Sequence, residues 1–280
     1  MLYKYTNEIY ANEIVLLSYY IATINIEETF KDVSGIEEYH PFEGIVLTDT
    51  FESTELEEIL DDDLFDDNNR RLQKQLNTSV TVIMGNPPYS VGQSNANDNN
   101  KNKKYENIDR RIENTYSKHT TPVLKRSLYD SYIKAFRWAS DRIGTYGVIG
   151  FVTPNSINDK GSMAGFKKVI NEKFNHIYTY NLIGAIKGKI GDDALKEGGS
   201  VFDIMIGTAI TILVKDNTDE NTVNYFEVAS YQSKEEKLES IKTLQSINNC
   251  LWQYKSTEDC NEKVHSLAIK KGLVSLPIIL

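Results

Sequence analysis

Cysteine is scarce in this chain: only Cys250 and Cys260 occur among 280 residues, and their spacing matches no zinc pattern. A cysteine-built metal site is therefore not expected, and free thiols in a cytoplasmic protein are preferred to a lone disulfide. A membrane-spanning run is also lacking. The most apolar stretch, residues 14–26, falls short of the roughly 20 residues a bilayer demands, and Ser18, Thr23 and Asn25 interrupt it. The N-terminal Met1-Leu2-Tyr3-Lys4-Tyr5 leads into polar residues rather than a signal-peptide core. Positive charge is not in excess either. A formal net charge of −9 excludes a generally cationic nucleic-acid coat and leaves only local basic surface for meeting phosphates. No Gly-x-Gly-x-x-Gly follows a strand pattern, so the glycines and lysines of residues 184–200 read as a loop or lid, not a phosphate cradle.

What remains is an ordinary globular composition, 40% hydrophobic and 25% charged, organised around four residues. Asn86-Pro87-Pro88-Tyr89 follows Val80-Thr81-Val82-Ile83-Met84-Gly85, an apolar and β-branched run that reads as a buried strand. Two prolines continue neither sheet nor helix, and Pro88 holds Pro87 extended. The result is a stiff loop at the carboxyl end of a strand, where open α/β sheets place their ligands. Asn86 offers an amide oxygen and Pro87 a carbonyl, two acceptors suited to gripping an NH2 group. Tyr89 adds a flat face for stacking on a planar ring such as adenine. An ordinary Pro-Pro turn beside an asparagine has the same sequence.

At these residues the chain resembles the amino-group DNA methyltransferases that carry Asn-Pro-Pro-Tyr, and most closely the methyltransferase region of type ISP restriction–modification enzymes. The resemblance covers residues 1 to about 250. It implies an α/β fold with the Rossmann-like sheet of class I S-adenosylmethionine-dependent methyltransferases. It implies adenine-N6 methylation of double-stranded DNA, with Asn86, Pro87, Pro88 and Tyr89 as the catalytic loop and S-adenosyl-L-methionine as cofactor. In that family the first strand and a glycine-bearing cofactor loop precede Glu13 by tens of residues. Only twelve residues precede it here, none of them glycine. The expectation is thus an incomplete, truncated sheet, a core over 1–232 with 233–280 starting the connection to a target-recognition region, and the missing portion of the same enzyme as a partner.

The other elements follow the same logic. Residues 8–12 read as a short strand ending at Glu13, whose carboxylate suits a ribose diol, a role the resemblance also gives it; a solvated acid in a first helical turn is the alternative. Residues 14–26 read as a largely buried helix. A second short strand ends in Thr48-Asp49. The resemblance sets Asp49 against the cofactor's adenine amine, whereas the residue alone also suits a helix cap or turn. Residues 52–67 are a solvated acidic stretch and 90–105 a loop without apolar periodicity. Between 101 and 142, eleven lysines and arginines face five acids, with Tyr105, Tyr116 and Tyr129 interleaved. That pattern suits either a phosphate-clamping surface or a merely soluble helix.

Helical periodicity over 128–143, strands at 147–155, 176–182 and 223–229, and helices at 166–174 and 234–247 indicate a mostly parallel sheet. Residues 200–204 and 209–214 read as a β-hairpin at its edge. The resemblance makes Phe202 the aromatic that stacks on the target base, and a core phenylalanine is the other reading. Two further functions stay open: methylation of a protein glutamine, whose amide the same four residues would grip, and a catalytically inactive fragment that only binds DNA or a partner.

Overall fold

The structure, a computed structural model, describes residues 1–55, 66–89, 104–158, 161–184, 201, 206–229, 231–247 and 253–255. It opens with helix α1 (Leu2–Asn7), which no periodicity announces, followed by strand β1 (Ala11–Glu13), helix α2 (Leu16–Ser34) and strand β2 (Ile45–Leu47). β1 and β2 pair in parallel, with Ala11 opposite Ile45 and Glu13 opposite Leu47. The helix α2 stops at Gly35, which takes the left-handed conformation at φ +67° that glycine adopts without a Cβ clash.

The small core here is built by side chains far apart in sequence. Tyr5 stacks on Phe30 with ring centroids 3.9 Å apart and donates its hydroxyl to the His40 carbonyl at 2.9 Å. Phe42 and Ile45 close the cluster.

The helix expected over 14–26 is found, but it runs on to Ser34 and is not largely buried. Leu16, Leu17, Tyr20, Ile21 and Ile24 are all exposed, Leu17 at 68%. The reason is geometric. A two-stranded sheet of three-residue strands covers one side of a helix, and Phe30, Ala22 and Ile26 on that side already fill it.

The main sheet contains β3 (Val80–Gly85), β4 (Ile143–Pro154), β5 (His176–Ile183), β6 (Thr208–Lys215), β7 (Thr222–Glu227) and β8 (Gln253–Lys255), in the order β3-β4-β6-β5-β7-β8. β3, β4, β5 and β7 run one way, while β6 and β8 run against them. The sheet is therefore mixed, and β6 corrects the edge-hairpin expectation: it lies inside, antiparallel to both β4 and β5. Its sequence explains this. Ala209, Thr211 and Leu213 alternate with Ile210, Ile212 and Val214, so both faces are apolar enough to be covered.

On one face, Ile149, Phe151, Ile177 and Leu213 meet α5 (Ser131–Arg142) and α6 (Ala164–Lys173) through Phe136, Phe166 and Ile170. On the other, Tyr178, Tyr180 and Val214 meet α7 (Lys234–Leu244), with Leu244 and the partly buried Ile241. Each fully buried large apolar side chain contributes roughly 1.5–3 kcal/mol of transfer free energy.

The predicted helix over 128–143 is shorter than its apolar period. A 3₁₀ turn (Pro122–Tyr129) precedes α5, and Ile143 already belongs to β4, opposite Val80. Helix α7 begins where Ser233 suggested, with a capping box formed by the Ser233 side chain on the Glu236 N–H and the Glu236 carboxylate on the Ser233 N–H. Two further helices complete the described residues, α3 (Asp66–Asn77) and α4 (Glu106–Asn114).

The helix α3 is tied to the smaller sheet. Gln75 donates to the Asn12 amide oxygen at 2.7 Å, and Asn68 accepts from the Leu47 N–H at 2.9 Å and donates to the Leu47 carbonyl at 3.1 Å.

Candidate active site

β3 stops where its two prolines require, and Asn86-Pro87-Pro88-Tyr89 leaves its carboxyl end as an exposed corner. Asn86 and Pro88 are exposed, Pro87 and Tyr89 half-buried. One contact organises the loop: the Tyr89 hydroxyl donates to Asn86 Oδ1 at 2.7 Å. Burial pushes the Tyr89 hydroxyl up to about 12. β3 is held by its parallel pairing with β4, Met84 opposite Gly150 and Gly85 opposite Phe151. The corner therefore sits on a rigid base.

Glu13 ends β1. Its backbone carbonyl accepts the Thr48 N–H at 2.8 Å, and its half-exposed carboxylate makes no hydrogen bond or ion pair among the described residues. That leaves two oxygens for a diol. Asp49, two residues past β2, is more committed. Its Oδ1 accepts the N–H groups of Phe51 at 3.0 Å and Glu52 at 3.3 Å, the turn geometry its sequence also allowed. Its Oδ2 accepts the Tyr105 hydroxyl at 2.8 Å. A carboxylate oxygen accommodates more than one donor, so an adenine amine meets an acceptor already in use rather than an idle one. The residues at these two strand ends thus fit an S-adenosylmethionine nucleoside in part: Glu13 readily, Asp49 only by sharing. Phe202 lies outside the described residues.

Two residues join the carboxyl end of β2 to the segment after the proline corner: Glu55, which sequence reasoning did not single out, and Tyr105, which it read as part of the basic run. Glu55 takes the N–H groups of Asn107 at 2.6 Å and Ile108 at 3.0 Å, capping α4 from 52 residues away. Tyr105, 5% exposed, packs edge-on against Phe51 and is crossed by the Lys134 ammonium 5.0 Å from its ring. Burial first, and the Asp49 hydrogen bond second, raise its pKa.

Read from sequence, the run suits either a phosphate-clamping surface or a merely soluble helix, and its tyrosines belong to neither surface. Tyr105 and Tyr116 are core residues, and Tyr129 shares a hydrogen bond with Ser117 at 3.3 Å. Much of the basic run is spent internally as well. Lys134 pairs with Asp109 at 2.7 Å, Arg137 is bidentate on Asp141, and Arg142 caps the carbonyls of Gln75, Leu76 and Thr78. Charge counts along a sequence do not distinguish such cations from phosphate-facing ones. Among the described basic residues of this run, Lys104, Arg110, Arg111, Lys118 and Arg126 lie exposed, Arg111 paired with Asp141.

A mixed sheet covered by helices on both faces, with a polar corner at a strand's carboxyl end, defines the class: the Rossmann-like α/β fold of class I methyltransferases. A modification subunit assigned to a type I restriction enzyme of Vibrio vulnificus shares this fold at 13% identity, with a TM-score of 0.51 over 91% of this chain and 44% of its own.

Closer likenesses narrow the class. The type ISP restriction–modification enzyme LlaGI, solved as a nuclease-deletion mutant with a DNA substrate mimic, is 47% identical with a TM-score of 0.86, over 93% of this chain and 21% of its own. The ATP-dependent type ISP enzyme LlaBIII, bound to DNA, is 47% identical with a TM-score of 0.85, over 94% of this chain and 18% of its own. DrdV, in complex with DNA, is 37% identical with a TM-score of 0.77, over 90% of this chain and 24% of its own. The chain is similar to one region of type ISP restriction–modification enzymes and spans about a fifth of the length of these relatives. No protein-family model matches it, and no curated protein does. Among the described residues no helix is long and apolar enough to cross a membrane.

Proposed function

We propose that the chain is the methyltransferase part of a restriction–modification system that methylates the N6 amine of adenine in double-stranded DNA. The observation that carries this reading is the Asn86-Pro87-Pro88-Tyr89 corner, exposed at the end of β3 on a strand held in register by β4. The likeness to enzymes solved on DNA supports it.

An adenine drawn out of the duplex would lay its ring on Tyr89. Asn86 Oδ1 and the Pro87 carbonyl would take the two amine hydrogens and so hold the nitrogen in one orientation. That is catalysis by positioning, with no covalent nucleophile on the protein: the amine nitrogen gains a methyl group and gives up one proton to solvent. Glu13 would hold the cofactor's ribose and Asp49 its adenine, while Phe202 would close on the other face of the target. S-adenosyl-L-methionine, when bound, supplies the methyl group. Residues 233–280 would start the connection toward a target-recognition region, and the remaining parts of the enzyme are its proposed partners.

Transfer of labelled methyl groups from S-adenosylmethionine to duplex DNA tests the reading. Asn86→Ala is expected to lower the rate by about 100-fold or more, the usual size for one well-placed polar contact to a reacting group. An unchanged rate removes Asn86 from the reaction.

One observation favours a second reading. Tyr105 and Tyr116 of the basic run are buried and present no ring to a nucleic acid, and a glutamine side-chain amide presents the same NH2 to the same two acceptors. Label appearing in glutamine-bearing protein and not in DNA decides for it. Cofactor binding too weak to measure at equilibrium decides for an inactive fragment.

A further inference from the structure

The interior uses only part of the basic run, and cations left over from it gather at one end of the sheet. Residues 115–129 contain Lys118, His119, Lys125 and Arg126 and no aspartate or glutamate, in a chain whose net charge is −9. Two 3₁₀ turns carry them, Tyr116–His119 and Pro122–Tyr129. Lys118, His119 and Arg126 are exposed, and so is Lys168 of α6. Among the described residues, Lys118, Arg126 and Lys168 form no salt bridge, unlike Arg111, Lys134 and Arg137. Lys168 Nζ meets a ring nitrogen instead of an acid, His119 Nδ1 at 3.3 Å. The first acid to follow, Asp130, is half-buried at the start of α5. Cations held near one another without counter-charge make a positive potential that a polyanion relieves.

Packing fixes where this cluster lies. The helix α5 ends at the amino side of the sheet, where Arg142 takes the carbonyls of Gln75, Leu76 and Thr78 just before β3. Halfway along, Phe136 meets Phe151 with ring centroids 5.0 Å apart, and Phe151 pairs with Gly85, the residue before the proline corner. Its start therefore lies at the carboxyl side, where the Tyr132 hydroxyl is 3.4 Å from Ser156 Oγ, past the end of β4. The turn carrying Arg126 leads directly into that start. The turn carrying Lys118 is pressed against the first turn of α6, where the Gly165 N–H donates to Thr120 Oγ1 at 3.1 Å. Lys168 follows in the same helix. All three cations thus share the end of the sheet at which Asn86-Pro87-Pro88-Tyr89 is exposed.

We propose that Lys118, Arg126 and Lys168 form a phosphate rim that grips the backbone of duplex DNA beside the proline corner and reads no sequence. This deepens the reading of DNA as substrate and rests on it. Phosphate contacts position a duplex and supply affinity that falls with salt, while base contacts carry the choice of site. The rim separates the first task from the second. It also accounts for how a chain of net negative charge meets a polyanion: its acids lie outside the stretch that faces the phosphates.

The test needs neither a recognition sequence nor turnover. Binding of the full chain to labelled duplexes of two unrelated sequences is followed by fluorescence anisotropy across a salt series. Replacing Lys118, Arg126 and Lys168 together by glutamine is expected to weaken binding about ten-fold or more at moderate salt, equally for both sequences. The slope of log affinity against log salt is expected to fall by about three, close to one for each lost phosphate contact. Lys31→Gln, Lys74→Gln and Lys242→Gln together remove the same charge from exposed positions on other helices and are expected to leave the slope unchanged. Urea midpoints like that of the wild type show that both triple variants are folded. Equal losses in the two variants, or a loss confined to one duplex sequence, overturn the rim and leave the DNA reading standing. A wild-type chain that binds neither duplex at low salt overturns the DNA reading, and the rim with it.

Discussion

At the scale of single residues, the interior rests on charges that the sequence displays as surface. Arg137, 4% exposed, is bidentate on Asp141, which also takes Arg111 at 2.8 Å and Lys173 at 3.4 Å. Burial pushes the Asp141 carboxyl up, but the Arg137 contacts outweigh this and hold it below its ordinary value. Asp141→Asn leaves a guanidinium buried without its counter-charge and is expected to cost about 3–5 kcal/mol, read from the urea midpoint at pH 7.

Asp130 behaves in the opposite sense. At the start of α5 its carboxyl is pushed up by burial to about 6, with Arg126 opposing weakly. The native state then holds this proton more tightly than the unfolded chain does, so stability is lost as pH rises from about 4 to 6 and stays level above. Asp130→Asn is expected to raise stability by about 1–2 kcal/mol at pH 8, discounted for partial exposure, and to change little at pH 4. Unfolding titrations at the two pH values check the sign. Neither role is visible from the neighbours in sequence. Asp141 looks like one more solvated acid on a helix because the cations it pairs with, Arg111 and Lys173, come from other elements.

At the scale of elements, the sequence is legible where a local rule dominates. The Pro87-Pro88 stop, the Ser233 capping box and the apolar alternation of β5 and β6 each follow from covalent geometry or period. It is illegible where one element is limited by another. Nothing near Gly165 says that it must be glycine, yet a Cβ there would lie 1.9 Å from the Tyr116 carbonyl oxygen and 2.5 Å from Thr120 Oγ1. Its own N–H donates to that hydroxyl at 3.1 Å, so α6 enters against the 3₁₀ turn Tyr116–His119 at backbone distance. Gly165→Ala is expected to cost about 2 kcal/mol or more by overpacking, measured by chemical denaturation. Equal stability would mean that α6 shifts freely. The interior place of β6 was illegible for the same reason: its period specifies two covered faces, not which strands flank it.

At the scale of the whole molecule, the two sheets share no ladder among the described residues, and the helix over the smaller one presents Leu17, Ile21 and Ile24 to solvent at 51–68% exposure. A contiguous apolar face of this kind promotes association. Replacing the three residues with glutamine is expected to reduce self-association in light scattering while changing stability by no more than about 0.5 kcal/mol each. A larger loss would show that the face is packed in solution. This chain's sequence by itself determined where the chemistry-bearing corner falls, because two adjacent prolines after a β-branched run terminate a strand in any context. It also determined the α/β class, through alternating apolar periods. Only the tertiary structure decided which carboxylates are idle and which are engaged, that Glu13 is open while Asp49 serves a turn and Tyr105, and that the tyrosines of the basic run are core. Those outcomes depend on contacts between residues tens of positions apart, whose energies no local pattern encodes.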